Sequence, residues 1–205
     1  YFIALIDILP ELHTLRDWNK KSNIIKIWEN FSKEDYLNIK SHEEILKHDI
    51  KALEYFIRDK FIEINLQDYN TFIHFGITSQ DINTSANILS LKNGLIFCII
   101  PEINKIKNAI ATFTHNTDDD VMLGFTHGQP AVPTTMKKEL FVFFYRIEEQ
   151  LTILENMDFT TKFGGAVGNL NAHYAAYPNI DWVSFSNNFI ESIGLKREQY
   201  TTQIS

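Results

Sequence analysis

Between Ile82 and Phe113, apolar residues recur at spacings near three, four or seven. They run through Ala86, Leu89, Ile96, Ile100, Ile103, Ile106 and Ile110, with Leu95 and Ile99 beside them. This periodicity predicts one helix from about Ser79 to about Phe113. At about 1.5 Å per residue it would run roughly 50 Å, longer than a small domain is wide. A second stripe, Ile88, Leu91 and Cys98, lies on another face. A helix that is apolar on more than one face needs partners along its whole length. The natural solution is a long helical bundle, in which helices of other subunits can take part. Pro101 should bend this helix without ending it.

The rest of the chain agrees with an all-α fold. Eight glycines and five prolines in 205 residues leave few turns, which disfavours many short strands. Further helices are predicted over 1–18 (kinked at Pro10), 49–64, 134–155 and 181–193. Twenty-six acidic against nineteen basic residues give a net charge of −7, which argues against a nucleic-acid partner. A small anionic ligand remains compatible, because a few local donors can hold one. The single cysteine, Cys98, excludes an intrachain disulfide and makes a cysteine-based zinc site an unsuitable reading. The longest uninterrupted apolar run, Leu95 to Ile100, is far short of the roughly 18 residues of a membrane span, so no membrane partner is expected. The chain starts at Tyr1 inside an apolar run, with no basic segment before it and no small-residue cleavage site after it. Both ends read as cuts through a larger protein. A cytoplasmic location is expected from the absence of targeting signals and disulfides.

Three segments between the predicted helices carry Gly, hydroxyl, amide and His residues beyond what a solvated loop requires: HFGITSQDIN, GFTHGQPAVPTT and KFGGAVGNLNAHYAAYP. Thr78 and Ser79, with Asp81 three residues after Thr78, form a helix start. They serve either as caps alone or as an anion site at a helix N-terminus. His74 precedes them by four residues and is either packed structurally or functional. In Thr126-His127-Gly128-Gln129-Pro130, Gly128 and Pro130 hold a fixed turn that aims His127. Its imidazole can give or take a proton near neutrality, and the bland alternative is a structural turn. Lys47-His48-Asp49 precedes a helix that Asp49 caps on the simplest reading, while Lys47 and His48 supply donors if a polyanion binds. Gly164-Gly165-Ala166-Val167-Gly168 lacks the spacing of a nucleotide loop and suits close helix crossing or backbone approach to a ligand. His13, His42 and His115 read as surface residues. No His/Asp/Glu group has metal-ligand spacing, and no Ser or Cys sits in a nucleophile elbow.

KHDIKALEYF, FIHFGITSQDIN, THGQPAVPTTMKKE, GGAVGNLNAHYAAYPNIDW and YTTQI, in that order, resemble the adenylosuccinate lyases of the fumarase/aspartase superfamily. Gly128 after Thr126-His127 resembles the purine branch, and AHYAAYPNIDW is similar to the bacterial-type subgroup. The resemblance implies a long helical bundle, here as a partial chain. Residues 1–73 would belong to an N-terminal helical domain and 74–205 to the first part of the central bundle. It further implies a homotetramer with shared active sites, no metal and no organic cofactor, and β-elimination of fumarate from adenylosuccinate and from the succinylated carboxamide ribotide. On this resemblance His127 matches the general acid. His48 and Asp49 match the substrate-contacting pair, Thr78 and Ser79 the hydroxyls that bind the succinyl part, and Gln203 a substrate-contacting glutamine. His74 matches a position near the site in some members. Lys47 departs from the family's usual Asn or Arg and is expected to bind substrate on electrostatic grounds alone. The family's base, a Ser on a Ser-Ser-x-Met-Pro-x-Lys loop, and its N-terminal Arg-Tyr phosphate pair have no counterpart in these residues. Two other functions compete: a superfamily lyase with another succinyl substrate, and a non-catalytic helical assembly protein.

Overall fold

Proline placement shapes the first elements. In the computed structural model, which describes residues 1–117 and 120–204, helix α1 (Phe2–Ile8) stops before Pro10. Leu9 there is extended, at φ −84° and ψ 130°, as the residue before a proline prefers. Pro10–Leu15 is then a 3₁₀ helix. The expected single helix over 1–18 is therefore two short elements, because Pro10 ends the first and opens the second. Two helices absent from the sequence expectation follow. Helix α2 (Trp18–Glu29) is capped by Asp17, and α3 (Lys33–Leu46) by a full capping box of Ser32 and Asp35. Helix α3 buries no residue. It lacks the apolar stripe that periodicity reads, and its start is signalled by the cap alone.

Helix α4 (Asp49–Glu63) and a 3₁₀ helix over Gln67–Phe72 lead to the long helix. That helix runs continuously as α5 (Ser79–Gly94), a π-helical turn over Leu95–Ile99, and α6 (Ile100–His115). The π turn ends two residues before Pro101, whose missing N–H cannot join the ordinary ladder. Its 18-residue window of mean hydropathy 1.3 makes this helix long and apolar enough to cross a membrane by length and composition. The longest uninterrupted apolar run underestimates it, because scattered Asn and Lys residues interrupt the run without making the helix polar.

The chain divides into two units, Tyr1–Ile88 with Thr160–Ser205, and Leu89–Phe159. In the first, Leu5, Ile6, Leu9, Leu12 and Leu15 are buried and pack with Phe61, Ile73, Leu170 and Trp182. The later part of this unit holds α8 (Asn171–Ala176), α9 (Trp182–Ser192) and a two-residue parallel pairing of β3 (Thr160–Thr161) with β4 (Lys196–Arg197). The second unit pairs α6 with α7 (Met136–Glu155) and adds an antiparallel hairpin of β1 (Val121–Thr126) and β2 (Gln129–Thr135). The all-α expectation holds for the bulk of the chain, and the hairpin was not anticipated. Of the described residues in this unit only Thr114 and Leu151 are buried, while Phe97, Ile106, Phe113, Phe143 and Ile153 stand exposed.

One buried charge pair joins distant parts of the first unit. Lys162 Nζ lies 2.7 Å from Asp81 Oδ1, and both side chains are fully buried. The same carboxylate accepts the Gly164 and Gly165 N–H groups, and its Oδ2 accepts the Thr78 N–H at 2.8 Å. Lys162 also donates to the Gly165 carbonyl at 2.6 Å. The glycines thus meet a buried carboxylate rather than a crossing helix. A Cβ on Gly164 would lie 2.7 Å from the Gly168 carbonyl oxygen, and one on Gly168 2.3 Å from that of Thr201. Removing one partner of a buried pair strands the other charge, typically at a cost of about 3–5 kcal/mol. Lys162→Met is therefore expected to lower the unfolding free energy by that amount in urea denaturation. A loss below about 1 kcal/mol would mean that the pair does not hold this loop.

Candidate active site

Most of the residues singled out by sequence meet at three neighbouring places in the first unit: the start of α4, the turn over residues 73–78, and the start of α5. At the head of α4 the N-cap is His48, not Asp49. His48 Nδ1 accepts the Lys51 N–H at 3.2 Å, and Asp49 Oδ1 accepts the N–H of Ile50. Because Nδ1 is already engaged as an acceptor, the 3.3 Å approach of Asp49 Oδ1 does not make a His–Asp catalytic dyad. The neutral ring carries its proton on Nε2. Asp49 is instead tied to α5, where Asn83 Nδ2 donates to its Oδ2 at 2.8 Å. The hydrogen bonds from the Asn83 side chain and the Ile50 N–H hold the Asp49 carboxyl below its ordinary range.

Thr78 and Ser79 are half-buried at the start of α5. The Asp81 carboxylate caps the Thr78 N–H in the way the Thr-x-x-Asp spacing suggested. Among the described residues neither hydroxyl takes part in a hydrogen bond, so both remain free to bind a ligand. His74 is held from α4: its Nδ1 lies 2.6 Å from Glu54 Oε2. Glu54 is nearly buried and also contacts Lys51 at 2.8 Å and Arg58 at 2.6 Å. Burial alone would raise its carboxyl. Hydrogen bonds from Lys51 and His74 and the charges of Lys51 and Arg58 outweigh that and hold it below the ordinary carboxylate range.

Behind the 73–78 turn lies His173, fully buried on α8. The Tyr1 hydroxyl has one proton, which it donates to the Phe75 carbonyl at 2.6 Å. His173 Nε2–H must therefore donate to the Tyr1 oxygen at 2.9 Å, leaving Nδ1 buried without a partner. The ring lies against Gly76, where an added Cβ would come 2.6 Å from His173 Cε1. Gly76 has φ +67°, so glycine is required there both for space and for backbone.

His127 lies in the second unit, at the hairpin tip. His127 and Gly128 form a two-residue loop with φ of 51° and 76°, the left-handed pair that a type I′ hairpin needs. Register pairs Thr126 with Gln129 and Phe125 with Pro130. The fixed turn inferred from sequence is thus a hairpin turn, and it leaves the His127 side chain exposed. Lys47, exposed, ends α3 in the left-handed region at φ 55°, and Gln203 is exposed near the end of the first unit. Neither has a hydrogen bond to His48, Asp49 or His74 among the described residues. Sequence reasoning passed over Asn83, Glu54 and His173. Asn83 follows Asp81 by two in the same helix turn, whereas Glu54 and His173 become visible only once α4 and α8 are packed. Among the described residues no group of three His, Cys, Asp or Glu side chains is arranged to hold a metal ion.

Comparison with known proteins points in one direction. A family model described as Lyase matches residues 20–205. An adenylosuccinate lyase from Dictyostelium discoideum is 45% identical over 213 residues, covering 100% of this chain and 46% of that protein. Adenylosuccinate lyases of Vibrio cholerae and Escherichia coli K12 are 45% and 43% identical, each covering 85% of this chain and 39% of their own length. The chain thus spans less than half the length of these curated relatives. A crystal structure of a fumarate lyase from Mesorhizobium sp. BNC1 superposes with a TM-score of 0.74 at 22% identity, over 97% of this chain and 45% of that one. At that identity the likeness concerns the fold.

Burial lowers the His173 pKa from 6.5 to about 4, against a smaller opposing pull from Asp81. Below pH 6.5 the unfolded ring takes up a proton that the folded ring refuses until about pH 4. Stability is therefore full above pH 6.5 and falls as pH drops through this window. The slope from one proton is about 1.4 kcal/mol per pH unit. Denaturation curves across the window should show His173→Phe losing one proton's worth of slope. Equal slopes in the two proteins would rule out His173 as the titrating group.

Proposed function

The chain belongs to the lyase family of the fumarase/aspartase superfamily, and from that premise we propose that the protein carrying it is an adenylosuccinate lyase. It eliminates fumarate from adenylosuccinate to leave AMP, and from the succinylated carboxamide ribotide to leave the carboxamide. The observation that carries this reading is the likeness to adenylosuccinate lyases along the whole chain. The exposed imidazole on a rigid turn and the unengaged hydroxyls at the head of α5 support it chemically.

In the proposed reaction a base removes a proton from the carbon β to nitrogen. Electrons flow into the new carbon–carbon double bond, the C–N bond breaks, and the departing purine nitrogen receives a proton from His127. Negative charge that develops on the succinyl carboxylate in the transition state needs donors close by. Thr78 and Ser79 supply hydroxyls for it. His48 presents Nε2–H, because its Nδ1 is used as the helix cap. Asp49, tethered by Asn83, fixes the start of α4 beside it. Gln203, His74 and Lys47 add further contacts to the anionic substrate. The base is assigned to a Ser outside these 205 residues, and no metal or organic cofactor is needed.

The apolar surface left open on α6 and α7 suits burial against other copies of the chain. A homotetramer with active sites shared between subunits is the assembly we assign to it, and the cytoplasm the location. An apolar helix of this kind then serves a bundle rather than a membrane.

The purified full-length protein should convert adenylosuccinate to AMP and fumarate. Activity only on another succinyl compound would favour a different superfamily lyase, and no activity on any would favour a non-catalytic assembly protein. His127→Ala should lower kcat by about 10²-fold or more with a much smaller change in KM. A near-normal rate would remove His127 from its role. The 205 residues expressed alone should release no fumarate, since they carry no base loop, and detectable release would overturn that assignment.

A further inference from the structure

Glu54 has more cationic partners than charge balance requires. Its side chain is 3% exposed, yet Lys51 and Arg58 both contact it, so two permanent charges already face one carboxylate. His74 is a third partner, on Oε2 at 2.6 Å. A carboxylate can only accept, so the proton between them belongs to His74 Nδ1. This sets the ring orientation, with Nε2 turned away from Glu54 on a side chain that is 28% exposed. Among the described residues nothing hydrogen-bonds Nε2. His74 is four residues before Thr78 in the turn that leads to the two free hydroxyls. Among the described residues the titratable group in contact with the ring is Glu54, and Lys51 and Arg58, also of α4, contact that carboxylate. The α5 residue lining the same small cavity is Ile82, which carries no charge.

We propose that Glu54 is a positioning residue for His74: it fixes the ring with Nε2 toward the bound substrate and lets that ring carry positive charge when an anionic group docks on it. The inference rests on the proposed function, since the anion is the substrate of that reaction. The neutral tautomer presents only a lone pair at Nε2, which repels an anion. Uptake of a proton at Nε2 turns it into a charged donor, and Glu54, still receiving Nδ1–H, balances that charge. The effect belongs to substrate binding, not to the elimination step.

The test is a double-mutant cycle in the full-length protein with adenylosuccinate. Glu54→Gln keeps an acceptor for Nδ1–H but removes the charge. It should raise KM about 10-fold, the gap between a charge-assisted and a neutral hydrogen bond, with kcat changed less than about 3-fold. In a His74→Ala background, Glu54→Gln should have no further effect on KM. Glu54→Asp, which keeps the charge but retracts it by one methylene, should fall between the parent and Glu54→Gln, and it carries the test if Glu54→Gln does not fold. Additive effects of the two substitutions, or an unchanged KM in Glu54→Gln, would overturn the inference while leaving the proposed function standing. No turnover by the parent protein would overturn both.

Discussion

A single carboxylate, that of Asp81, connects the parts of the first unit that matter most. It caps the backbone at Thr78, takes the N–H groups of Gly164 and Gly165, and pairs with Lys162, all away from water. Two charges buried together are stable only if geometry is good and the remaining hydrogen-bonding capacity is filled. Here the lysine also reaches the Gly165 carbonyl, so both ions are engaged on more than one side. The glycines are required by the close backbone packing of this loop: a Cβ on Gly164 would lie 2.7 Å from the Gly168 carbonyl oxygen, and one on Gly165 2.9 Å from that of Gly76. The head of α5, where Thr78 and Ser79 stand, is therefore held from a loop more than 80 residues later in the chain.

Around that anchor, histidines do different work according to what their ring nitrogens are already bonded to. His48 uses Nδ1 to cap α4 and keeps its proton on Nε2. His74 donates an Nδ1–H hydrogen bond to Glu54 and leaves Nε2 open. His173 is enclosed, neutral and structural, supporting Gly76 from below. In the second unit, His127 stands exposed on a hairpin tip and, among the described residues, its side chain has no hydrogen bond. The division follows from hydrogen-bond bookkeeping: a nitrogen committed to backbone or to a carboxylate is fixed in tautomer, and only the other is available to a substrate.

How far the sequence could be read depended on the kind of signal. Helices with apolar periodicity were legible: 49–63, 136–155 and 182–192 lie within two residues of their expected limits, and the long helix runs on to His115. Helix α3 was not, because it buries nothing and offers no periodic stripe. The hairpin was missed because β1 and β2 are mostly exposed on both faces, so no alternation of polar and apolar residues announces them. His-Gly is also a less familiar two-residue loop than Asn-Gly. Asp81 was read correctly as part of a helix start, but its buried partner Lys162 was not foreseen.

Local chemistry was settled by the chain itself. Proline positions ended α1, Ser32 and Asp35 capped α3, and the Thr-x-x-Asp spacing capped α5. The His-Gly pair made a turn, since each of these depends on residues a few places apart. The resemblance to a lyase family was also carried by segments readable in order. Tertiary structure alone decided that Asp81 meets Lys162, that Asn83 holds Asp49, that Glu54 orients His74, and that His173 is sealed under Gly76. Those contacts join residues up to about 100 positions apart, and nothing in a linear pattern encodes which nitrogen of a histidine faces which oxygen once two helices are packed.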